Sequence, residues 1–163
     1  MPVFDDPLDP AHALPTVLRE RAATTPDRVF VRDLDHGLVE SYGVFDARVD
    51  RWAGQLAALG VAPGHAVVSL LPSSADAIAV WVAAARLGAV EVPVNPAYRG
   101  NLLAHMVRTA AAQVVVTCQE YVASVLETIA TTPDVTTIVL VDGTAPDRAP
   151  DGDTPVTFVM ADP

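Results

Sequence analysis

Histidine, cysteine and paired carboxylates are the residue types that most often carry chemistry, and in this chain they are scattered. The four histidines, His12, His36, His65 and His105, never pair at the short spacing of a metal site. Cys118 is the single cysteine. A disulfide framework and a zinc set are therefore excluded within the chain. His65 falls in a turn beside Gly64, and His105 between Ala104 and Met106 on a helical stretch. Neither has a partner nearby in sequence, so both read as surface or half-buried structural histidines. Cys118 closes an apolar strand and reads as an inert buried thiol rather than a nucleophile. Asp46 and Asp50, four apart and next to Arg51, read as a solvated helix face rather than a catalytic carboxylate pair. No residue is assigned a catalytic or metal-binding role.

Phosphate chemistry fares no better. All ten basic residues are arginine, and no two of the nine glycines are closer than four residues apart. A glycine-rich phosphate loop ending in lysine is thus absent. The net charge is −10, concentrated at the ends. Residues 1–10 hold three aspartates and no base, and residues 142–163 hold five aspartates against one arginine. Such a chain is a poor partner for nucleic acid or anionic membranes. The most apolar stretch, 75–94, is interrupted by Asp76, Arg86, Gly88 and Pro93, so no membrane span is expected. The start is acidic and proline-bearing, unlike a secretory signal. A cytoplasmic protein is the expectation.

The elements that would position any site follow from periodicity. With 163 residues and 51% apolar content, the chain has enough for one domain with a real core. Pro15 suits the first turn of a helix that carries Leu14, Val17, Leu18 and Ala22 and stops before Pro26. Residues 29–34 and 38–42 predict a small hairpin around Asp35-His36-Gly37. Phe45, Val49, Trp52, Leu56 and Leu59 are spaced 4, 3, 4, 3, which places all five on one helix face before the Gly60 stop. Beyond Pro63-Gly64 the pattern alternates. Apolar strands are expected at 66–71, 89–94, 113–118 and 136–141, with helices at about 75–87, 101–111 and 120–130. Ser73 or Ser74 can cap the first of these helices, with Asp76 in its first turn. That helix is apolar nearly all round, which suggests burial on more than one side. Residues 156–160 offer one more strand. Short apolar strands alternating with helices predict an α/β fold with a mostly parallel sheet flanked by helices. Trp52 and Trp81 both read as core residues.

Five segments, taken in order, resemble the start of an adenylate-forming enzyme of the acyl-CoA synthetase branch. Ser41-Tyr42-Gly43-Val44-Phe45 is a partial match to that family's early Ser/Thr-Tyr motif. In Leu59-Gly60-Val61-Ala62-Pro63-Gly64-His65-Ala66-Val67, His65 stands where the family has an aspartate. Leu70-Leu71-Pro72-Ser73-Ser74-Ala75-Asp76 is similar to its Leu-Pro-Asn-Ser pattern. Gly88-Ala89-Val90-Glu91-Val92-Pro93-Val94-Asn95-Pro96 reads through its Gly-Ala-Val-x-Val-Pro-x-Asn-Pro without a gap. Ala112-Gln113-Val114-Val115-Val116-Thr117 resembles the strand that follows. The general character is closer to long-chain fatty-acid or carnitine-type CoA ligases than to peptide-synthetase adenylation domains.

The resemblance implies the first subdomain of an adenylate-forming enzyme over residues 13–141, after an acidic segment at 1–12 and before a linker at 142–163. It also implies a parent protein that uses ATP, magnesium and CoA to turn a carboxylate into an acyl-adenylate and then a thioester. The family's phosphate loop and its two lysines have no counterpart here. The chain is therefore expected to be a catalytically incompetent fragment that binds no cofactor alone and whose partner is the missing remainder, on the same or a separate chain. A second copy of the chain is a further candidate partner. Asn95, Pro96, Tyr98 and Arg99 follow the carboxyl end of a strand, the edge where open α/β sheets bind ligands. They are the candidates for a substrate channel, against the plainer reading of a turn that starts a helix. The alternative is a non-catalytic α/β module that docks onto a complementary chain, with exposed apolar surface expected on the 75–87 helix. A flavodoxin-like phosphate-binding module and a response-regulator receiver both lack their diagnostic residues.

Overall fold

The computed structural model describes residues 10–35, 37–144 and 156–162. The acidic start, His36 at the expected turn and most of the expected linker lie outside the described residues.

Two sheets form. Helix α1 (Leu14–Thr24) starts with Pro15 in its first turn and buries Leu18. Strands β1 (Val29–Asp33) and β2 (Leu38–Ser41) pair antiparallel into the expected hairpin, which stands apart as a two-stranded sheet. Helix α2 (Tyr42–Ala58) begins at once, because the Ser41 hydroxyl accepts the Val44 N–H and caps it. Tyr42 is thus the first helical residue rather than the last of the strand. The predicted stripe is the buried stripe: Phe45, Val49, Trp52 and Leu56 are wholly enclosed.

The second sheet takes β3 (Ala66–Leu70), β4 (Val90–Pro93), β5 (Val114–Thr117), β6 (Thr137–Leu140) and β7 (Thr157–Met160), all parallel, in the order β4-β3-β5-β6-β7. Helices α3 (Ala75–Arg86), α4 (Gly100–Ala110) and α5 (Val122–Ile129) are the crossovers. The chain steps from β3 out to β4 and then jumps back over β3 to β5. That reversal puts α3 on one face and α4 and α5 on the other, since right-handed crossovers in opposite directions use opposite faces. Strand alternation does the rest. Val67, Val114, Val116 and Val139 pack under α1, α2 and α3. Val68, Leu70, Val115, Ile138 and Leu140 pack under α4 and α5. A central strand buried on both faces must read as an unbroken apolar run, as β5 does.

Turn chemistry closes the units. Gly88 sits at φ +68° after α3, and an added Cβ would meet the Pro63 ring at 3.3 Å, so the α3–β4 corner requires glycine. Ser74 caps α3 by accepting the Ala77 N–H at 3.2 Å. Ionic clamps then tie the α2 side together. Arg48 on α2 grips Glu40 of β2 at 2.6 Å and Asp76 of α3 at 3.0 Å, and the Trp52 indole N–H donates to the same Asp76 at 3.3 Å. Arg86 at the end of α3 grips Asp46 and Asp50 of α2. Asp46 is thereby drawn out of solvent, at 16% exposure, while Asp50 stays on the solvated face, at 57%. They hold an arginine whose side chain is only 7% exposed.

Helix α3 is not sealed all round either. Ala79, Val80, Val82, Ala83 and Ala84 are buried, but Ile78 and Trp81 face outward. Trp81 is 50% exposed, which corrects its reading as a core residue: an all-apolar helix does not reveal which of its faces lacks a cover. The expected exposed apolar surface on this helix is present.

Candidate functional site

A cleft of about 1110 Å³ opens between the hairpin, the start of α3 and the outer edge of β4. Three stretches far apart in sequence meet there. The end of β1 and the hairpin turn contribute residues 31–35, the end of β3 and the start of α3 contribute Ser69, residues 71–75, Ala77 and Ile78 with Trp81, and β4 with its exit contributes Glu91 and residues 93–96. Its walls are apolar: Val31, Leu71, Ile78, Trp81 and Val94.

The inner wall carries a polar pair. On β4, Glu91 is half-buried, and it accepts a hydrogen bond from the Ser69 hydroxyl on the neighbouring strand β3. Parallel register sets β3 beside β4, with Val67 opposite Glu91 and Ser69 opposite Pro93, so the two side chains lean together on the α3 face. Burial pushes the Glu91 carboxyl above its usual range, and the Ser69 hydrogen bond pulls part of that back. Among the described residues Glu91 enters no ion pair, in contrast to the gripped carboxylates of Glu40, Asp46 and Asp76.

Of the sequence candidates, Asn95 and Pro96 line this cleft, and Tyr98 and Arg99 do not. The Asn95 side-chain oxygen accepts the Ala97 N–H at 2.9 Å, so it also shapes the turn. Arg99 folds back onto the carbonyls of Pro96 and Tyr98 and lies 6.0 Å from the centre of the Tyr121 ring. It bridges the exits of β4 and β5. Ser69 and Glu91 escaped the sequence reading, and Ile78 and Trp81 entered it only as part of an apolar helix. The signal for Glu91 was a lone charge inside an apolar strand. The signal for Ile78 and Trp81 was an apolar helix with more apolar faces than a sheet can cover.

The residues set aside behave accordingly. His65 and His105 are exposed. Cys118 is buried, and that burial raises its thiol further from ionisation. Among the described residues no three histidine, cysteine or acidic side chains gather as a metal site, and no helix is long and apolar enough to cross a membrane. The mouth of the cleft carries Arg32 beside Asp33 and Asp35, and the start of α3 lines it as well.

The family model described as "AMP-binding enzyme" matches residues 18–159. Three curated relatives are 4-coumarate–CoA ligase 5 of Oryza sativa, the medium/long-chain-fatty-acid–CoA ligase FadD6 of Mycobacterium tuberculosis, and the phosphinothricin tripeptide synthetase PhsC of Streptomyces viridochromogenes. The first is 38% identical over 65% of this chain and 20% of its own length. The second is 35% identical over 69% and 18%, and the third 33% identical over 88% and 13%. The chain therefore spans a fifth or less of each of these relatives. Among solved structures, the inhibitor-bound N-terminal domain of FACL13 from Mycobacterium tuberculosis superposes with a TM-score of 0.73 at 25% identity, covering 78% of this chain and 33% of that one.

Proposed function

This chain belongs to the AMP-binding enzyme family, and on that premise we propose that it is the first subdomain of an ATP-dependent acyl-CoA ligase. The observation that carries the reading is the family match over residues 18–159, in a chain whose parallel sheet superposes on a ligase-family N-terminal domain. In the parent, a carboxylate oxygen would attack the α-phosphorus of ATP and expel pyrophosphate. A CoA thiol would then attack the acyl carbon, expel AMP and lose its proton. The charge that builds on the phosphorus in the first step needs cations held in place beforehand. This chain has no lysine and an acidic cleft, so ATP, magnesium and CoA fall to the rest of the parent.

Within that enzyme the cleft forms one wall of the acyl channel. Leu71, Ile78, Trp81 and Val94 would cover an apolar acyl body, and Asn95 and Pro96 would shape its mouth. Tyr98 and Arg99 hold the neighbouring loop. The names of the relatives span 4-coumarate, medium/long-chain fatty acids and a tripeptide, so family membership alone does not choose the acid. The parent is assigned to the cytoplasm.

The test is pyrophosphate release. With ATP, magnesium and a panel of carboxylic acids, the 163-residue chain alone releases none. A longer parent that carries a lysine-ended phosphate loop releases it and makes a CoA thioester. Release by the chain alone, or silence from the parent across the panel, overturns the reading. A second reading, a non-catalytic module docked on a complementary chain, is favoured by the exposed Leu34, Ile78 and Trp81. A folded chain that stays monomeric and binds no apolar dye argues against it.

A further inference from the structure

The two edges of the parallel sheet are finished differently. At β4, the Val90 and Val94 N–H groups donate to the carbonyls of His65 and Ser69. Successive residues of a strand turn their backbone groups to opposite sides. Residues 90 and 94 therefore face β3, and Glu91 and Pro93 face out. Pro93 has no N–H to offer a further strand. Natural sheets close their edges by such means.

Strand β7 has no such stop. Its sequence, Thr157-Phe158-Val159-Met160, holds no proline and no charge. The Thr157 and Ala161 N–H groups donate to the carbonyls of Thr136 and Leu140 along β6. The same alternation turns Phe158, Met160 and Asp162 outward. Helix α2 agrees with this: the Gln55 amide donates to the Met160 carbonyl at 2.8 Å and accepts the Asp162 N–H at 3.4 Å. Gln55 thus closes the edge beyond Met160. Among the described residues nothing holds the N–H and C=O of Phe158 or the N–H of Met160.

We propose that this short run is a docking surface for a second copy of the chain, with the two β7 strands antiparallel across a two-fold axis at Val159. The inference goes beyond the ligase reading and does not depend on it. An axis at Val159 is the one that pairs the two open residues with each other. An axis at Met160 would set Phe158 against Asp162, whose N–H is taken. Phe158 of each copy then exchanges two backbone hydrogen bonds with Met160 of the other, so four form in all. The Met160 carbonyl has a second lone pair for this beside its bond to Gln55. The facing side chains also match. Val159 meets its own copy at the close spacing of about 4.5 Å between Cα atoms, and the Phe158 ring meets a thioether, a favourable contact. No like charges stand opposite each other in these pairs. A two-fold contact closes on itself and stops at the dimer. Each copy carries a net charge of −10, so repulsion opposes the pairing and salt should strengthen it.

Light scattering and amide hydrogen exchange on the 163-residue chain test this. The mass should rise toward twice that of the chain as protein or salt is added, and exchange at the Phe158 and Met160 N–H should slow with it. Met160→Pro removes an N–H that β6 does not use and adds a ring in the path of the partner strand. It should weaken association by at least about tenfold. Should circular dichroism show that variant unfolded, Val159→Lys and Val159→Glu keep every backbone donor. Each alone sets like charges face to face at the axis and should be monomeric, and the two mixed should form a mixed dimer.

A mass that never exceeds one chain overturns the inference. With both amides exchanging freely the edge is open, and with both protected another segment of the same chain covers it. A dimer that folded Met160→Pro leaves intact also overturns it, as do Val159→Lys and Val159→Glu chains that dimerise singly or fail to pair when mixed. None of these outcomes bears on the ligase reading, which pyrophosphate release decides.

Discussion

The middle of the parallel sheet and the cleft beyond its β4 edge are built by opposite rules. In the middle, β3, β5 and β6 are Val, Ile and Leu with few interruptions, and every enclosed charge nearby is gripped by an arginine. At the edge, a carboxylate is half-buried without a cation, and a tryptophan and an isoleucine stand partly in solvent. Packing physics accounts for the first region completely. In the second it accounts only for the shape, and the acyl-channel proposal is what gives Glu91, Ile78 and Trp81 a use.

The two tryptophans break or sharpen this comparison most directly. Trp52 is wholly enclosed on α2 and donates to Asp76. Trp52→Ala should cost toward the upper end of about 3–5 kcal/mol, because it leaves a large cavity and removes a hydrogen bond. Against a whole-domain stability of about 5–15 kcal/mol, that nearly unfolds the chain, and urea denaturation reads it directly. Next comes Arg48→Met. It leaves Glu40 and Asp76 facing each other without a cation, at side-chain exposures of only 6% and 25%. About 3 kcal/mol is expected, whereas Arg19→Ala, at an ion pair exposed on both sides, should cost less than about 1 kcal/mol. Because Arg48 and Trp52 share Asp76, their losses should not add in the double variant. Additive losses would mean that the two residues stabilise α2 independently.

How far this contrast could be read beforehand follows from the range of the interactions. The α2 stripe was visible because its 4, 3, 4, 3 spacing is local and faces one side. The strands were visible because each short apolar run ends in glycine, proline or a capping serine. Strand order was not visible: the pairing of β3 with β5, 47 residues on at Leu70 and Thr117, depends on a crossover that leaves no mark in either strand. The cleft was hidden for the same reason, since it joins residues near 33, 72 and 94. Two of the four substrate-channel candidates line it because sheet topology favours strand exits. Tyr98 and Arg99 fall outside because the chain has by then turned toward α4. The ion pairs of Asp46 and Asp50 went unseen because Arg86, their shared partner, lies on another helix.

Glu91→Gln turns the contrast into a dependence on pH. Burial holds the folded-state carboxyl above its ordinary value. Between the ordinary value and the raised one, the folded chain keeps a proton that the unfolded chain has lost. Stability therefore falls as pH rises through that window, and the penalty is complete above it. Glu91→Gln should match the parent chain in acid and exceed it at neutral pH, seen as a higher urea midpoint. Equal midpoints across the whole range would mean that the carboxylate is compensated after all.

The smallest effect on stability should come from Trp81→Ala. Half of the ring already meets water, so truncation returns little surface to solvent, and α3 keeps its buried face of Ala79, Val80 and Val82. Alanine is also the better helix former. The two terms oppose, and the net should lie within about 0.5 kcal/mol of zero, as for most surface substitutions. Binding should change far more: an apolar dye that lights up on the intact chain should lose most of its signal. A stability loss as large as that of Trp52→Ala would show that Trp81 belongs to the core, and the difference between the two regions would collapse.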